Sequence, residues 1–156
     1  MKISFAVYAA LFATASAAPE AQRVETLPDF PQPFPSPTYS GYLNLADGHG
    51  TSNKNLHYVF VTSQNDPAND PLMLWFNGGP GCSSMLAFLQ EHGPITLDDD
   101  APAFVPNEFS WTKRANIIYL ESPAGVGFST GNENEKIYND FIQADDALRA
   151  FKKWFD

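Results

Sequence analysis

Basic residues and cysteine are both scarce in this sequence. Nine lysines and arginines stand against eighteen aspartates and glutamates, which gives a formal charge of −9. A surface with this charge repels phosphate backbones and anionic lipid headgroups, so we expect neither nucleic acid nor a membrane as a partner. The single cysteine, Cys82, excludes an intramolecular disulfide framework. We also expect no metal ion and no cofactor.

Residues 1–17 predict a secretory signal peptide. Lys2 supplies a positive start, an apolar run follows, and Ala15 and Ala17 provide the small residues of a cleavage site. A membrane anchor is the alternative, but a bilayer-spanning helix needs about 20 apolar residues and this run is shorter. We therefore expect entry into the oxidising secretory pathway, where an odd cysteine indicates a missing partner or a free thiol.

Proline dominates the next segment, which we assign to residues 18–38. Five prolines fall between Leu27 and Pro37, and they forbid both helix and sheet interior, so this segment is predicted to be an extended surface arm. Beyond it, Gly41–Leu45 and Leu56–Thr62 are rich in apolar, β-branched and aromatic residues. They predict two strands of an antiparallel hairpin.

Leu72–Phe76 is apolar at every position, which predicts a strand that is buried on both faces. Ala115–Leu120 is mostly apolar and predicts a second buried strand. Apolar residues then recur every three or four positions from Ile137 to Phe155, which predicts an amphipathic helix. This order of strands, loops and helices is typical of the α/β class. Because no strand follows the last helix, we expect residues 39–156 to be the N-terminal part of a truncated domain.

The loop after the first apolar strand carries the clearest chemical signal. Gly78 and Gly79 lack a Cβ, so their backbone N–H groups can turn outward and approach an anion closely. Acyl transfer needs such donors, because negative charge develops on the carbonyl oxygen in the transition state. A plain glycine-rich turn is the alternative at this point.

Ten residues around this loop resemble the signature of the serine carboxypeptidases. The stretches that agree in order and spacing are Trp75–Ser84, Glu91–Pro94, Tyr39–Leu43, Ser110–Asn116 and Glu121–Ser129. The resemblance implies an incomplete α/β-hydrolase fold, with the N-terminal strands and first helices of a mostly parallel sheet. It also implies removal of C-terminal residues from peptides or proteins, usually at acid pH, in secretions, lysosomes or vacuoles. The oligomeric state stays open.

The resemblance assigns roles to five residues. Asn77 and Glu91 would bind the terminal carboxylate of the substrate, and a neutral Glu91 would donate its proton to that carboxylate. Trp75 would shape this site and bond to one of the two, although a core tryptophan is nearly as good an interpretation. Gly79, with Gly78 beside it, would provide the oxyanion donor.

The same resemblance places the family's catalytic serine in a Gly-Glu-Ser-Tyr-Ala-Gly turn that this sequence does not contain, with the aspartate and histidine later still. Ser129 lies in a G-x-S-x-G match, but it does not follow a strand directly and no histidine comes after it, so we interpret it as structural. His49 in a turn and His57 in a strand are not placed as bases. Cys82 would pair with a distant cysteine that is absent here.

Three functions remain open on the sequence alone. The first is a serine carboxypeptidase whose present chain is inactive by itself. The second is a secreted, non-catalytic binding protein that keeps the carboxylate pocket, and the third is an acyltransferase on the same fold. Two residues depart from the family pattern. They are Ala87, in a short helix that we predict for residues 83–90, and Thr130 after Ser129, which leaves the substrate preference open.

Overall fold

In a computed structural model of the chain, the described residues are 19–28, 30–46, 53–97, 103–131 and 139–156, so the predicted signal peptide and His49 lie outside them. Seven strands and one α-helix occur in this part of the chain: β1 Arg23–Val24, β2 Thr38–Asn44, β3 Asn55–Val61, β4 Leu72–Trp75, β5 Ile95–Leu97, β6 Phe104–Pro106, β7 Asn116–Leu120 and α1 Asp140–Trp154. Short 3-10 turns cover Glu20–Gln22 and Trp111–Lys113, and a π-helical turn covers Ala87–Glu91.

Five strands form one mixed sheet in the order β1-β2-β3-β7-β4. The β2–β3 hairpin is the predicted one, with Thr38 opposite Val61 and Asn44 opposite Asn55. β7 runs antiparallel to β3 and parallel to β4, so the α/β character of the sheet lies in the β4–β7 pair. β5 and β6 form a separate antiparallel pair.

The core lies on both faces of this sheet, around β3 and β7. All five residues of β7 are buried, which confirms the predicted fully buried strand. One face packs against α1 through Tyr58, Phe60 and Leu120, and the other packs against the π-helical turn through Val59 and Tyr119. The loop after β4 is therefore held against the second face.

The prediction that the apolar segment at 72–76 is buried on both faces was wrong. All four residues of β4 are only partly buried, and Phe76 beyond it is 38% exposed. The reason is the position of β4 at the edge of the described sheet, where β7 is its one neighbour. An apolar run is typical of a central strand, but the run alone does not show how many strands flank it.

Helix α1 is present as predicted, but the orientation of its apolar stripe was wrong. Of the predicted stripe, Phe141 is 88% exposed and Leu148 is 51% exposed. The buried positions are instead Ala150 and Asp146, and the Asp146 carboxylate accepts a 2.7 Å hydrogen bond from Lys54 in a buried ion pair. The side of the helix that carries Asp146 and Ala150 therefore faces the sheet, and part of its apolar side faces outward.

The proline-rich segment is extended, yet part of it packs into the fold. Arg23 and Val24 pair with β2 at the sheet edge. Phe30 is 1% exposed, and its ring lies 5.7 Å from that of Phe34, which in turn packs on Phe88. The prediction of a surface arm therefore missed both the strand and the aromatic contacts. Within the described ranges, no helix has the length and apolar character needed to cross a bilayer.

Candidate carboxylate and oxyanion site

The loop that follows β4 exposes two backbone donors. Gly78 and Gly79 are both exposed, and within the described part of the chain their N–H groups form no hydrogen bond. A Cβ at Gly78 would meet nothing within 4 Å, whereas Gly79 has a φ of +134° that favours glycine. A cis peptide bond joins Gly79 to Pro80. Two adjacent amides thus lie open at the carboxyl end of a parallel strand.

Asn77 has an amide whose orientation is fixed by its neighbours. The Trp75 indole N–H, which can only donate, donates to Asn77 Oδ1 at 2.8 Å. The NH₂ group of Asn77 therefore faces the other way and donates to Glu91 Oε1 at 3.4 Å. That second bond is long, so an incoming anion can replace it at small cost.

Glu91 ends the π-helical turn, and a buried asparagine holds the backbone there. Asn107 Nδ2 donates to the carbonyl oxygens of Glu91 and Gly93, both at 3.0 Å. Gly93 fits because a side chain at its position would overlap the Phe88 carbonyl. The Glu91 side chain is exposed beside the Asn77 amide, while its backbone is held by Asn107.

Ser84 ties the loop to the end of β7. Its hydroxyl is 1% exposed, donates to the Leu120 carbonyl at 2.7 Å, and accepts from the Asn77 N–H at 3.2 Å. The backbone of Asn77 is therefore positioned by the buried strand β7. Because Gly78 and Gly79 come directly after Asn77, the same contacts determine where their amides lie.

A second tie involves Glu121, which is fully buried directly after β7. Its carboxylate accepts hydrogen bonds from the Ser83 hydroxyl, from His57 Nδ1 at 3.0 Å and from the Phe128 N–H at 2.7 Å. Burial by itself raises the pKa of Glu121, but the hydrogen bonds from His57, Ser83 and Phe128 outweigh it and lower the pKa below its ordinary value. Glu121 therefore stays ionised while joining two loops to the sheet.

His92 lies in an aromatic box under the site. Its ring stacks on Trp111 at 4.2 Å and meets Trp75 edge-on at 4.4 Å. Nδ1 lies 3.2 Å from the Tyr119 hydroxyl, while Nε2 is buried and has no hydrogen-bond partner among the described residues. Burial lowers the pKa of His92, despite the nearby charge of Glu91. A neutral imidazole thus supports the Trp75 ring that orients Asn77.

The structure brings Trp75, Asn77, Glu91, Gly78 and Gly79 into one surface region, and Trp75 bonds to one of its two predicted partners. The remaining residues lie elsewhere. Cys82 is an exposed free thiol, whereas His92, the histidine that follows it in the sequence, is buried. Ser129 is 3% exposed; its hydroxyl donates to the Glu121 carbonyl and accepts from the His57 N–H, so both bonds serve the backbone.

The sequence interpretation missed four residues that hold this region in place: Ser84, Asn107, Glu121 and His57. Glu121 could have been considered, because a glutamate directly after a mostly apolar strand is a candidate for burial, and a buried carboxylate needs donors. His57 was set aside because it lies in a strand. The hairpin register nevertheless places it opposite Tyr42, on the same face as Ser40.

Comparison with known proteins agrees with the sequence motifs. The family model described as serine carboxypeptidase matches residues 28–156. Serine carboxypeptidase-like 20 of Arabidopsis thaliana is 44% identical over 151 residues, which cover 93% of this chain and 30% of the relative. The lysosomal protective protein of Mus musculus is 42% identical over 139 residues, which cover 89% of this chain and 28% of the relative.

A solved structure gives the same result for the fold. The prohormone-processing carboxypeptidase Kex1Δp of Saccharomyces cerevisiae superimposes with a TM-score of 0.57 at 28% identity, over 76% of this chain and 26% of the other. The described sheet is thus part of an α/β-hydrolase fold, as predicted. This chain spans less than a third of the length of these relatives.

Proposed function

Because the chain belongs to the serine carboxypeptidase family, we propose that it carries the carboxylate-binding and oxyanion half of a site that acts on peptide C-termini. Asn77 and Glu91 hold the terminal carboxylate of the peptide. The Gly79 N–H, with that of Gly78 beside it, takes the carbonyl oxygen of the last peptide bond. Trp75 keeps the Asn77 amide in the orientation that this binding requires.

One observation carries the proposal: the Asn77 NH₂ group is directed toward Glu91, beside two amide N–H groups that bond to no described residue. A carboxylate placed there meets a side-chain amide and a carboxyl group, while the neighbouring carbonyl meets the glycine amides. Hydrogen bonds to charged groups contribute about 1.5–3 kcal/mol each. The loss of one such bond would weaken binding by about 10- to 100-fold.

Acid pH favours this binding. Two facing carboxyl groups cannot both be ionised at low cost, so Glu91 and the peptide carboxylate share one proton in the complex. As the pH rises the pair loses that proton, and repulsion between two negative charges replaces a hydrogen bond. A compartment of the secretory pathway with acidic contents, such as a lysosome or vacuole, or an acidic secretion, suits this requirement.

We also propose that this chain does not hydrolyse peptides by itself. Its sequence has no Gly-Glu-Ser-Tyr-Ala-Gly turn, and Ser129 is occupied by backbone partners. Hydrolysis in the family needs a serine, an aspartate and a histidine, and the family's motif for that serine matches no segment of this sequence. In a longer protein that contained this motif, Cys82 would form a disulfide with a downstream cysteine.

The experiment is calorimetric titration of the chain with a short peptide in two forms, one with a free C-terminal carboxylate and one with a C-terminal amide. We expect the acid form to bind at acid pH and the amide form to bind at least about 10-fold more weakly. Asn77→Ala should weaken binding of the acid form by a similar factor. The control Asn69→Ala changes an exposed turn asparagine, which bonds to Asp66, and should have no effect.

Glu91→Gln separates the proton requirement from simple contact. Glutamine donates a hydrogen bond at every pH, so the variant should bind the acid form equally well at acid and neutral pH, whereas the unchanged chain weakens at neutral pH. Equal affinity for the acid and the amide forms would overturn the proposal. Turnover by a longer protein that includes the family's catalytic serine would then separate peptidase from acyltransferase, and binding without turnover there would indicate a binding protein.

A further inference from the structure

A hydrogen-bonded line of serine, histidine and glutamate crosses the sheet from β2 to the end of β7. Ser40 Oγ lies 2.8 Å from His57 Nε2, and His57 Nδ1 lies 3.0 Å from Glu121 Oε2. Ser40 is on β2, His57 on β3 and Glu121 directly after β7, so three neighbouring strands each contribute one member. These are the residue types and contacts by which a serine hydroxyl is activated as a nucleophile.

The contacts determine which tautomer a neutral His57 adopts. The Glu121 carboxylate, once ionised, only accepts hydrogen bonds, so His57 Nδ1 carries the proton that it donates to Oε2. In neutral His57 the Nε2 atom then has a free lone pair and must accept the hydrogen bond from the Ser40 hydroxyl. His57 is thus held in the tautomer that can remove the proton of Ser40. Glu121, fixed by Ser83 and Phe128 N–H, holds it there.

Ser40 is accessible from solvent, and aromatic side chains lie on either side of His57. Along β2, Tyr39, Gly41 and Leu43 are buried, whereas Ser40 on the opposite face is only partly buried. Two exposed aromatic rings flank the imidazole: Tyr42 at 5.3 Å and Phe128 at 5.2 Å between ring centroids, with exposures of 53% and 62%. Exposed aromatic side chains on both sides of a buried imidazole provide a surface for a flat apolar group.

From this geometry we propose that Ser40 is an activated nucleophile that takes acyl groups from small aryl esters, with His57 as its base and Glu121 as the residue that positions His57. Ser40 Oγ attacks the ester carbonyl carbon while its proton passes to His57 Nε2. The bond between the carbonyl carbon and the aryl oxygen breaks, and that oxygen takes the proton from His57, so that the aryl group leaves as a phenol. Water later adds to the acyl-serine, which releases the carboxylic acid and restores the hydroxyl.

The test is acylation of the whole chain by 4-nitrophenyl acetate, with the acetylated residue located by peptide mass spectrometry. We expect acetylation at Ser40, and release of nitrophenolate that Ser40→Ala abolishes. His57→Gln should slow acylation by about 100-fold or more, the usual contribution of a general base. Ser36→Ala removes a serine whose hydroxyl bonds to the Thr62 carbonyl and should change nothing.

Two further arms keep the result decisive if a buried variant fails to fold. Tyr42→Ala changes an exposed side chain beside His57 and should raise the concentration of aryl ester needed for half-maximal rate. The unchanged chain in concentrated urea should not be labelled faster at Ser40 than at other serines. Absence of acetyl-Ser40 in the native chain, or equal labelling with and without urea, overturns the proposal. Either result leaves peptide binding at Asn77 unaffected.

Discussion

Ser84→Ala removes the hydroxyl that ties the glycine loop to strand β7. The Leu120 carbonyl loses its 2.7 Å donor, and leaving a buried acceptor unpaired costs about 1–3 kcal/mol. The Asn77 N–H loses a 3.2 Å acceptor, but it lies in a half-exposed loop where water can replace it, so its contribution is smaller. We expect the free energy of unfolding to fall by roughly 2 kcal/mol. Urea unfolding followed by tryptophan fluorescence measures this change.

Ser122 provides the matched control, because it lies close by in sequence and carries the same hydroxyl. It is 2% exposed, but its Oγ has no hydrogen-bond partner among the described residues. Removal of an unpaired buried hydroxyl costs nothing and can stabilise. Ser122→Ala should therefore leave the free energy of unfolding unchanged or raise it. If the two variants lost the same stability, the bonds assigned to Ser84 would not be what holds the loop.

Three other predictions follow from the same contacts. Burial lowers the pKa of His92, so as the pH falls through about 6.5 the histidine takes up a proton in the unfolded chain before it does so in the folded chain. The free energy of unfolding should therefore decline below that pH. His92→Phe should reduce this decline in thermal melts recorded over a series of pH values. Hydrogen bonds lower the pKa of Glu121, so its ionised form stabilises the folded chain above pH 4.5, and this contribution is lost on further acidification. Glu121→Gln should lower the free energy of unfolding at neutral pH and remove the part of its pH dependence that comes from Glu121. Gly127→Ala, at φ +53°, would push a Cβ into the Glu121 carboxylate and should lower the melting temperature, whereas Gly78→Ala, with open space around it, should not.

Local patterns were enough to predict β2, β3, β4, β7 and the glycine loop, whereas β1, β5 and β6 were not predicted. The hairpin, β7 and the position of the glycine pair follow from alternation, apolar runs and turn residues, which are properties of a few neighbouring positions. The burial of β4 and the facing of α1 could not be predicted in this way. They depend on which strands flank β4 and on the ion pair between Lys54 and Asp146, which are 92 residues apart.

In the candidate site, too, the residues that are close in sequence could be predicted and those from distant elements could not. Trp75, Asn77 and the glycines are close in sequence, and Glu91 lies 14 residues after Asn77, at the end of the π-helical turn. A sequence motif could therefore identify them together. Their supports come from other elements. Ser84 bonds to a carbonyl of β7, Asn107 bonds across to Glu91, and Glu121 accepts from His57 64 residues away. Only the register of the sheet and the path of the loops bring such partners within reach.

The orientation of the Gly78 and Gly79 amides is tested most directly by their own NMR signals. Amide ¹H–¹⁵N spectra of the chain at acid pH would be recorded with increasing amounts of a peptide acid and then of the corresponding peptide amide. Our account predicts that the Gly78 and Gly79 signals, with the Asn77 side-chain NH₂, shift with the acid and stay in place with the amide. Unmoved glycine signals, or equal shifts with both peptides, would contradict it.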